Sequence, residues 1–411
     1  MRDDNRLFQM VCHAYRDVPL YRRLAEEKGF SLGLYEQKKD FSKIPLLERA
    51  YAVNHADGTL SDDCIPLMYQ RKLLRTHTSG STGIHMDVWW KKEDYRNSLL
   101  PLWMNRVKYV GIKPNDKVCV FNAFCQTSEM FVYEKNSLLI SKTDLSDAGL
   151  LKIYEKMAEF QPKWLLLQPS MAFLLCEIKK KNKLPEIPSI TYIELTGEMC
   201  IPMGEKVIED SFLCTVKKHY GTMEVNTIGY ETEKRNIYRI FSSSTMIETL
   251  NEKGETVSEG EIGKIYVSSL HNYAMPVIRY ETGDRGRLFT KNEKGRSVQY
   301  IELMKARQND LLLLRNGKEI PPDILLNPIE FINQWNENAV LQLQAVQLSL
   351  EELELHIVLD EELNRQKFAS LYLQQLEGVF SEKFKFSFVF QDSLKPCHGE
   401  NKVKWFERRI L

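Results

Sequence analysis

The chain has 411 residues, with 56 Lys+Arg against 56 Asp+Glu, and this zero formal charge argues against a nucleic-acid or anionic-membrane surface as its main business. Its length exceeds the roughly 250–300 residues that one hydrophobic core usually serves, so one large domain plus a smaller one is expected. Eight scattered cysteines form no Cys-x-x-Cys pair, the charged start MRDDNRLFQM lacks the apolar core of a signal peptide, and no window approaches the ~18 apolar residues of a membrane span; a soluble cytoplasmic protein without disulfide framework or zinc site is expected.

Leu7, Met10, Val11 and Tyr15 recur at helical spacing, Pro19 interrupts the pattern, and Tyr21 to Glu27 resumes it, predicting two short packing helices between residues 4 and 29. After Pro45 comes Arg75-Thr-His-Thr-Ser-Gly-Ser-Thr-Gly83, a loop crowded with hydroxyls, then the short β-prone run MDVWW and a helix over 92–109. From 116 to 270, apolar runs (Lys117 to Asn122, Trp164 to Leu167, Ile190 to Glu194, Ile265 to Ser268) alternate with helical stretches (147–160, 169–181, 202–212). That alternation predicts a parallel or mixed α/β sheet with loops of functional interest at the strand ends. Beyond about residue 305 the order is strand, strand, helix (361–379), strand (384–390), a small α+β domain; the boundary falls near Lys305 to Asp310, dividing 1–305 from 306–411.

Five segments have chemical meaning. Glycine lets backbone N–H groups of the 75–83 loop turn inward and its Ser/Thr hydroxyls add donors, which suits phosphate oxygens, although such clusters are more often plain surface turns. In HYGTMEVNTIGYE (219–231), Tyr220-Gly221 should end a strand in a tight turn, setting an aromatic face for a purine beside Glu224, a carboxylate able to hold Mg²⁺ against phosphates. In MPVIRYETGDRGRL (275–288), Asp284 follows Thr282-Gly283 in a turn, where it can accept bonds from vicinal hydroxyls such as those of ribose. Arg307 lies at the domain junction and can reach ribose or phosphate, and Lys402, near the C-terminus, can bring a positive charge to a leaving phosphate.

In this order the segments resemble the adenylate-forming superfamily of acyl- and aryl-CoA ligases, and most of all its shorter, phenylacetate-CoA ligase-like branch; the resemblance spans essentially the whole chain. The family's phosphate loop corresponds to Thr78, Ser79, Gly80, Ser81, Thr82 and Gly83, and its Gly-Glu at the adenine pocket to Gly197-Glu198. Its Y-G-x-[ST]-E segment corresponds to Tyr220, Gly221, Thr222, Met223 and Glu224. The ribose motif is complete at Tyr280 to Asp284, the hinge motif falls on Ala306 to Asp310, and the terminal lysine motif on Asn401-Lys402.

The resemblance implies a large adenylation domain and a C-terminal lid that rotates between two half-reactions. A carboxylate attacks the α-phosphate of ATP to give an acyl-adenylate, and a thiol of CoA or of a carrier-protein phosphopantetheine then displaces AMP. It implies that the loop residues hold pyrophosphate, Glu224 ligates Mg²⁺, Asp284 and Arg307 fix the ribose, and Lys402 stabilises charge between the carboxylate and the α-phosphate. The acid pocket is expected between Asn122–Gln126 and Tyr220, where Phe121, Phe124 and Tyr220 point to an aromatic acid, although such aromatics are more often core. Met223 stands where the family carries Thr or Ser, Asn309 at a usual Asp, and Asn401 at a usual Gly. These departures keep two other readings open: an acyl-protein synthetase or amide-forming relative, and a degenerate nucleotide binder.

Overall fold

The computed structural model describes residues 2–77, 86–122, 129–200, 202–304, 311–320, 322–335, 340–359, 365–376, 384–395 and 403–410. Contacts divide the chain into two compact units, 1–108 with 219–304 and 109–218 with 305–411. The strand Thr215–Tyr220 passes from the second into the first. Among the described residues no helix is long and apolar enough to cross a membrane.

The first unit opens with the helices Arg2–Asp17 and Pro19–Lys28, where the periodicity puts them. Pro19 sits at the start of the second helix, where its missing N–H forfeits no helical bond, and Gly29, at φ 65°, ends that helix in a left-handed turn. Both helices bury their apolar faces with Trp90, Ile228, Val267 and Tyr280. Antiparallel strands follow in the spatial order Thr245–Leu250, Ile262–Ser269, Tyr280–Glu293, Arg296–Leu303, Ile237–Ile240, Gly229–Glu231, and the end of Thr215–Tyr220. Of these, only the stretch around Ile265 to Ser268 and the end at Tyr220 were legible as strand. The predicted helix over 92–109 is α-helical only through Asn105 and continues as a π turn, Arg106–Val110.

The second unit carries the parallel strands. Ser137–Ser141, Val118–Asn122, Trp164–Leu167, Tyr192–Leu195 and Thr215–Lys218 pair in that order, with Phe131–Glu134 antiparallel at the edge. Parallel and antiparallel ladders both occur, as the alternation predicts, and the parallel ones lie in this unit. The helices Asp147–Phe160, Pro169–Lys181 and Pro202–Phe212 connect the strands, and Ile153, Leu165, Ile193 and Val216 form the fully buried centre. The C-terminal part is a four-stranded sheet in the order Lys385–Phe390, Glu352–Leu359, Val340–Gln347, Phe406–Arg408, backed by Asn327–Trp335 and Arg365–Leu376. Phe386, Phe388 and Phe390 face Phe368 and Tyr372 of the helix Arg365–Leu376, which explains the FKFSFVF alternation.

Candidate functional site

Tyr220 ends its strand and Gly221 begins the turn, as the sequence suggests. The turn is closed by Asn226, whose N–H donates to the Thr222 carbonyl at 2.7 Å, and by Ile228, whose N–H donates to the Tyr220 carbonyl at 2.8 Å. Asn226 Nδ2 and Thr227 Oγ1 tie it to Ser98 of the helix Lys92–Asn105, at 3.0 and 2.9 Å. A Cβ at Gly221 would stand 2.1 Å from the Asn226 carbonyl oxygen, a backbone atom that cannot move aside alone. Gly221→Ala is therefore expected to destabilise the protein by roughly 1–3 kcal/mol, read as a lowered urea midpoint; an unchanged midpoint would contradict this packing.

Two tyrosine–carboxylate bonds cross between motifs. The Tyr220 hydroxyl donates to Asp284 Oδ2 at 2.9 Å, and the Tyr280 hydroxyl donates to Glu224 Oε1 at 2.7 Å. Each motif thus places a tyrosine four residues before its acid and binds the acid of the other. Burial, with the neighbouring Glu224 charge, pushes the Tyr280 phenol above its ordinary range, which favours the protonated, donating hydroxyl. Glu224 is buried, at 4% exposure.

The segment leading into Tyr280 is locked by Arg279, whose backbone sits at φ 47°. Its guanidinium donates to both oxygens of Glu248, at 3.0 and 3.1 Å, and to the Ser42 and Ile44 carbonyls. Leu47 then brackets Tyr280 through backbone bonds to Arg279 and Glu281. The Arg–Glu fork therefore fixes the start of the strand that carries Asp284.

Asp284 departs from expectation in its local structure: it lies inside the long strand Tyr280–Glu293, not in a turn. Lys264 pairs with Arg285 and Tyr266 with Glu281, so Thr282, Gly283 and Asp284 together oppose Ile265 alone. Gly283 at φ 81° makes this bulge possible, and the Thr282 hydroxyl donates to the Ile265 carbonyl while accepting the Asp284 N–H. A T-G-D string reads as a turn locally; only the pairing partner reveals a bulged strand.

The Thr222 hydroxyl is buried and has no hydrogen-bond partner among the described residues. It lies two residues before Glu224, while Met223 turns outward at 38% exposure. A buried hydroxyl without a protein partner is a polar atom that a ligand oxygen or a water can satisfy. Among the described residues there is no cluster of three or more His, Cys, Asp or Glu able to cage a metal by itself.

Within the second unit, Gly197 adopts φ 83°, and Glu198 after it gathers three donors. Ser170 N–H and Ser170 Oγ each donate at 2.9 Å, and Val403 N–H donates at 3.1 Å. Burial pushes the Glu198 carboxyl up, while these bonds and the charge of Lys142 work against it. Lys142 bonds Gln168 Oε1 at 3.1 Å, and burial lowers its ammonium against the pull of Glu198. Lys142, Gln168 and Glu198 follow the C-terminal ends of three parallel strands, where ligands of open α/β sheets gather. Sequence reading singled out neither Lys142 nor Ser170 as a site residue, although Ser170 lies in QPSMAFLL (168–175), a stretch that resembles the same branch; the further signal is the strand end that each follows.

Thr78, Ser79, Gly80, Ser81, Thr82, Gly83, Phe124, Arg307 and Lys402 lie outside the described residues. The strands flanking the hydroxyl-rich loop, Leu74–His77 and Asp87–Trp90, pair antiparallel from Leu74↔Trp90 to His77↔Asp87. Phe121 belongs to the buried core of the second unit and Tyr220 to that of the first.

No family model matches the chain. It is 24% identical over 332 residues to the phenylacetate-coenzyme A ligase of Thermus thermophilus, covering 78% of this chain and 73% of that one. With the Pseudomonas putida phenylacetate-coenzyme A ligase it shares 24% over 366 residues, 87% of this chain and 81% of that one. Its fold matches a 2-hydroxyisobutyryl-CoA ligase solved in the postadenylation state with 2-HIB-AMP, at a TM-score of 0.76 and 18% identity, covering 98% of this chain and 88% of that one.

Proposed function

The chain is a phenylacetate-CoA ligase-like member of the adenylate-forming superfamily, and from that premise we propose how its own residues activate a carboxylic acid. It is an AMP-forming acid–thiol ligase: acid and ATP give an acyl-adenylate and pyrophosphate, and a thiol then takes the acyl group and releases AMP. CoA is the proposed acceptor, with a carrier-protein phosphopantetheine arm as the competing one; both present the same thiol.

The observation that carries the reading is the cross-bonding of Tyr220 with Asp284 and Tyr280 with Glu224. It makes one rigid unit of the two segments whose acids serve nucleotide and metal, and preorganised charge costs no reorganisation during reaction. Asp284, aimed by the bulge, would accept the ribose hydroxyls, with Arg307 as second partner. Glu224, its direction fixed by the Tyr280 hydroxyl, would hold Mg²⁺ beside the Thr222 hydroxyl. When bound, the ion supplies neutralisation of phosphate charge. Ser79, Ser81, Thr82 and the loop amides would grip the departing pyrophosphate, and Lys402 would sit between carboxylate and α-phosphate. An aromatic acid remains the preferred class on the likeness to phenylacetate-CoA ligases alone.

Acid-dependent ATP–pyrophosphate exchange over a panel of aryl, alkyl and amino acids tests the reading, followed by thioester formation with CoA and with carrier proteins. ATP binding with no exchange for any acid would make the chain a nucleotide binder instead. Thr222→Val offers a finer check. Because that hydroxyl has no partner among the described residues, the melting temperature should stay put while the KM for ATP rises about fivefold. An unchanged KM would remove Thr222 from the phosphate site.

A further inference from the structure

Glu198 is expected from family likeness at the adenine pocket, and its carboxylate accepts from Ser170 and Val403. Ser170 holds it with two donors, one of them a backbone N–H in the first turn of the helix Pro169–Lys181, where the exposed amide dipoles favour an anion. Fixed in this way, the Oε1 oxygen receives the Val403 N–H at 3.1 Å. Lys142, in charge contact with Glu198, favours the ionised acceptor.

Beyond Val403 the chain is anchored to its own small sheet. Gln344 Nε2 donates to the Lys404 carbonyl at 2.9 Å, the Trp405 carbonyl accepts the Ala345 N–H at 2.7 Å, and Phe406 is buried beside the strand Val340–Gln347. The residue directly after Lys402 is therefore tied from both directions: through the C-terminal sheet downstream and through Glu198 on the loop that follows Tyr192–Leu195.

We propose that Glu198 is a positioning residue that holds the backbone at Val403, and so the chain adjoining Lys402, for the adenylation half-reaction. This rests on the reading of Lys402 given above. A main-chain donor leaves no side-chain signature at position 403, so only the acceptor reveals the contact. Gly197 serves it as well, since its left-handed conformation turns the carboxylate toward Ser170.

The test uses the full-length Glu198→Ala, Glu198→Gln and Ser170→Ala proteins and three readouts: acid-dependent pyrophosphate exchange, thioester formation from a supplied acyl-adenylate and CoA, and hydrogen exchange at the Val403 amide. Glu198→Ala should slow pyrophosphate exchange by about tenfold or more, leave thioester formation within about twofold, and deprotect the Val403 amide. Glu198→Gln, which keeps an acceptor oxygen and the side-chain shape, should recover much of both losses and keeps the question answerable if the alanine variant folds poorly. Ser170→Ala should fall between. Wild-type protection of Val403 in Glu198→Ala, or a parallel fall of both half-reactions, would overturn the proposal. If the unaltered protein supports exchange with no acid, the functional reading fails by itself, and the Val403 amide still decides whether Glu198 holds it.

Discussion

Glu224→Gln should lower the rate of adenylate formation by about 10²–10³-fold, some 2.7–4 kcal/mol of transition-state stabilisation, with little change in melting temperature. Glutamine retains an oxygen for the Tyr280 hydroxyl, which now donates at 2.7 Å, so the bond between the two motifs survives the substitution. The negative charge that would attract Mg²⁺ is lost. The distinguishing measurement is a Mg²⁺ titration of pyrophosphate exchange: the half-saturating Mg²⁺ concentration should rise steeply. Tyr280→Phe provides the contrast, removing a donor while keeping the charge. It leaves one buried acceptor short of a bond, worth about 1 kcal/mol, and should affect stability more than Mg²⁺ requirement. If Glu224→Gln shifts the melting temperature and leaves the Mg²⁺ dependence alone, Glu224 is a structural partner of Tyr280 and the metal assignment falls.

The difference between what was legible in the sequence and what was not follows from the range of the interactions. The helices near the N-terminus and the phenylalanine alternation of the small sheet follow from local periodicity, and the parallel strands from short continuous apolar runs, since Tyr192–Leu195 is buried on both faces. The antiparallel strands of the first unit were largely invisible. Strands such as Arg296–Leu303 are partly exposed and polar, and they hold through register with neighbours. Order of motifs identified Tyr220, Glu224 and Asp284 as chemically meaningful. It could not reveal that the acids are cross-bonded through tyrosines 56 and 64 residues away. It also located Asp284 in a turn, since Gly-Asp chemistry is the same in a turn and in a bulge. Nor could it reveal that position 222, one residue before Met223, carries a buried hydroxyl with no partner among the described residues, a fact of turn geometry rather than of motif.

Lys402→Ala is expected to abolish acid-dependent pyrophosphate exchange, a fall of about 10²–10³-fold or more, while thioester formation from a supplied acyl-adenylate and CoA persists. The asymmetry follows from where charge develops. During adenylation a carboxylate approaches a polyanionic phosphate, and a cation between them offsets like-charge repulsion that rises toward the transition state. During thioesterification AMP leaves from a formed anhydride and that repulsion is absent. Lys404 is the natural control: two residues on, its carbonyl accepts from Gln344 at 2.9 Å, which ties its backbone to the small sheet. Lys404→Ala should therefore leave the exchange close to normal. Equal loss of both half-reactions in Lys402→Ala would remove it as the adenylation lysine, and loss of exchange in Lys404→Ala would transfer the role there. Comparison with Glu198→Ala adds a further discrimination, because a lysine that is present but poorly held should lower the rate without abolishing it, whereas a missing lysine leaves no charge to position.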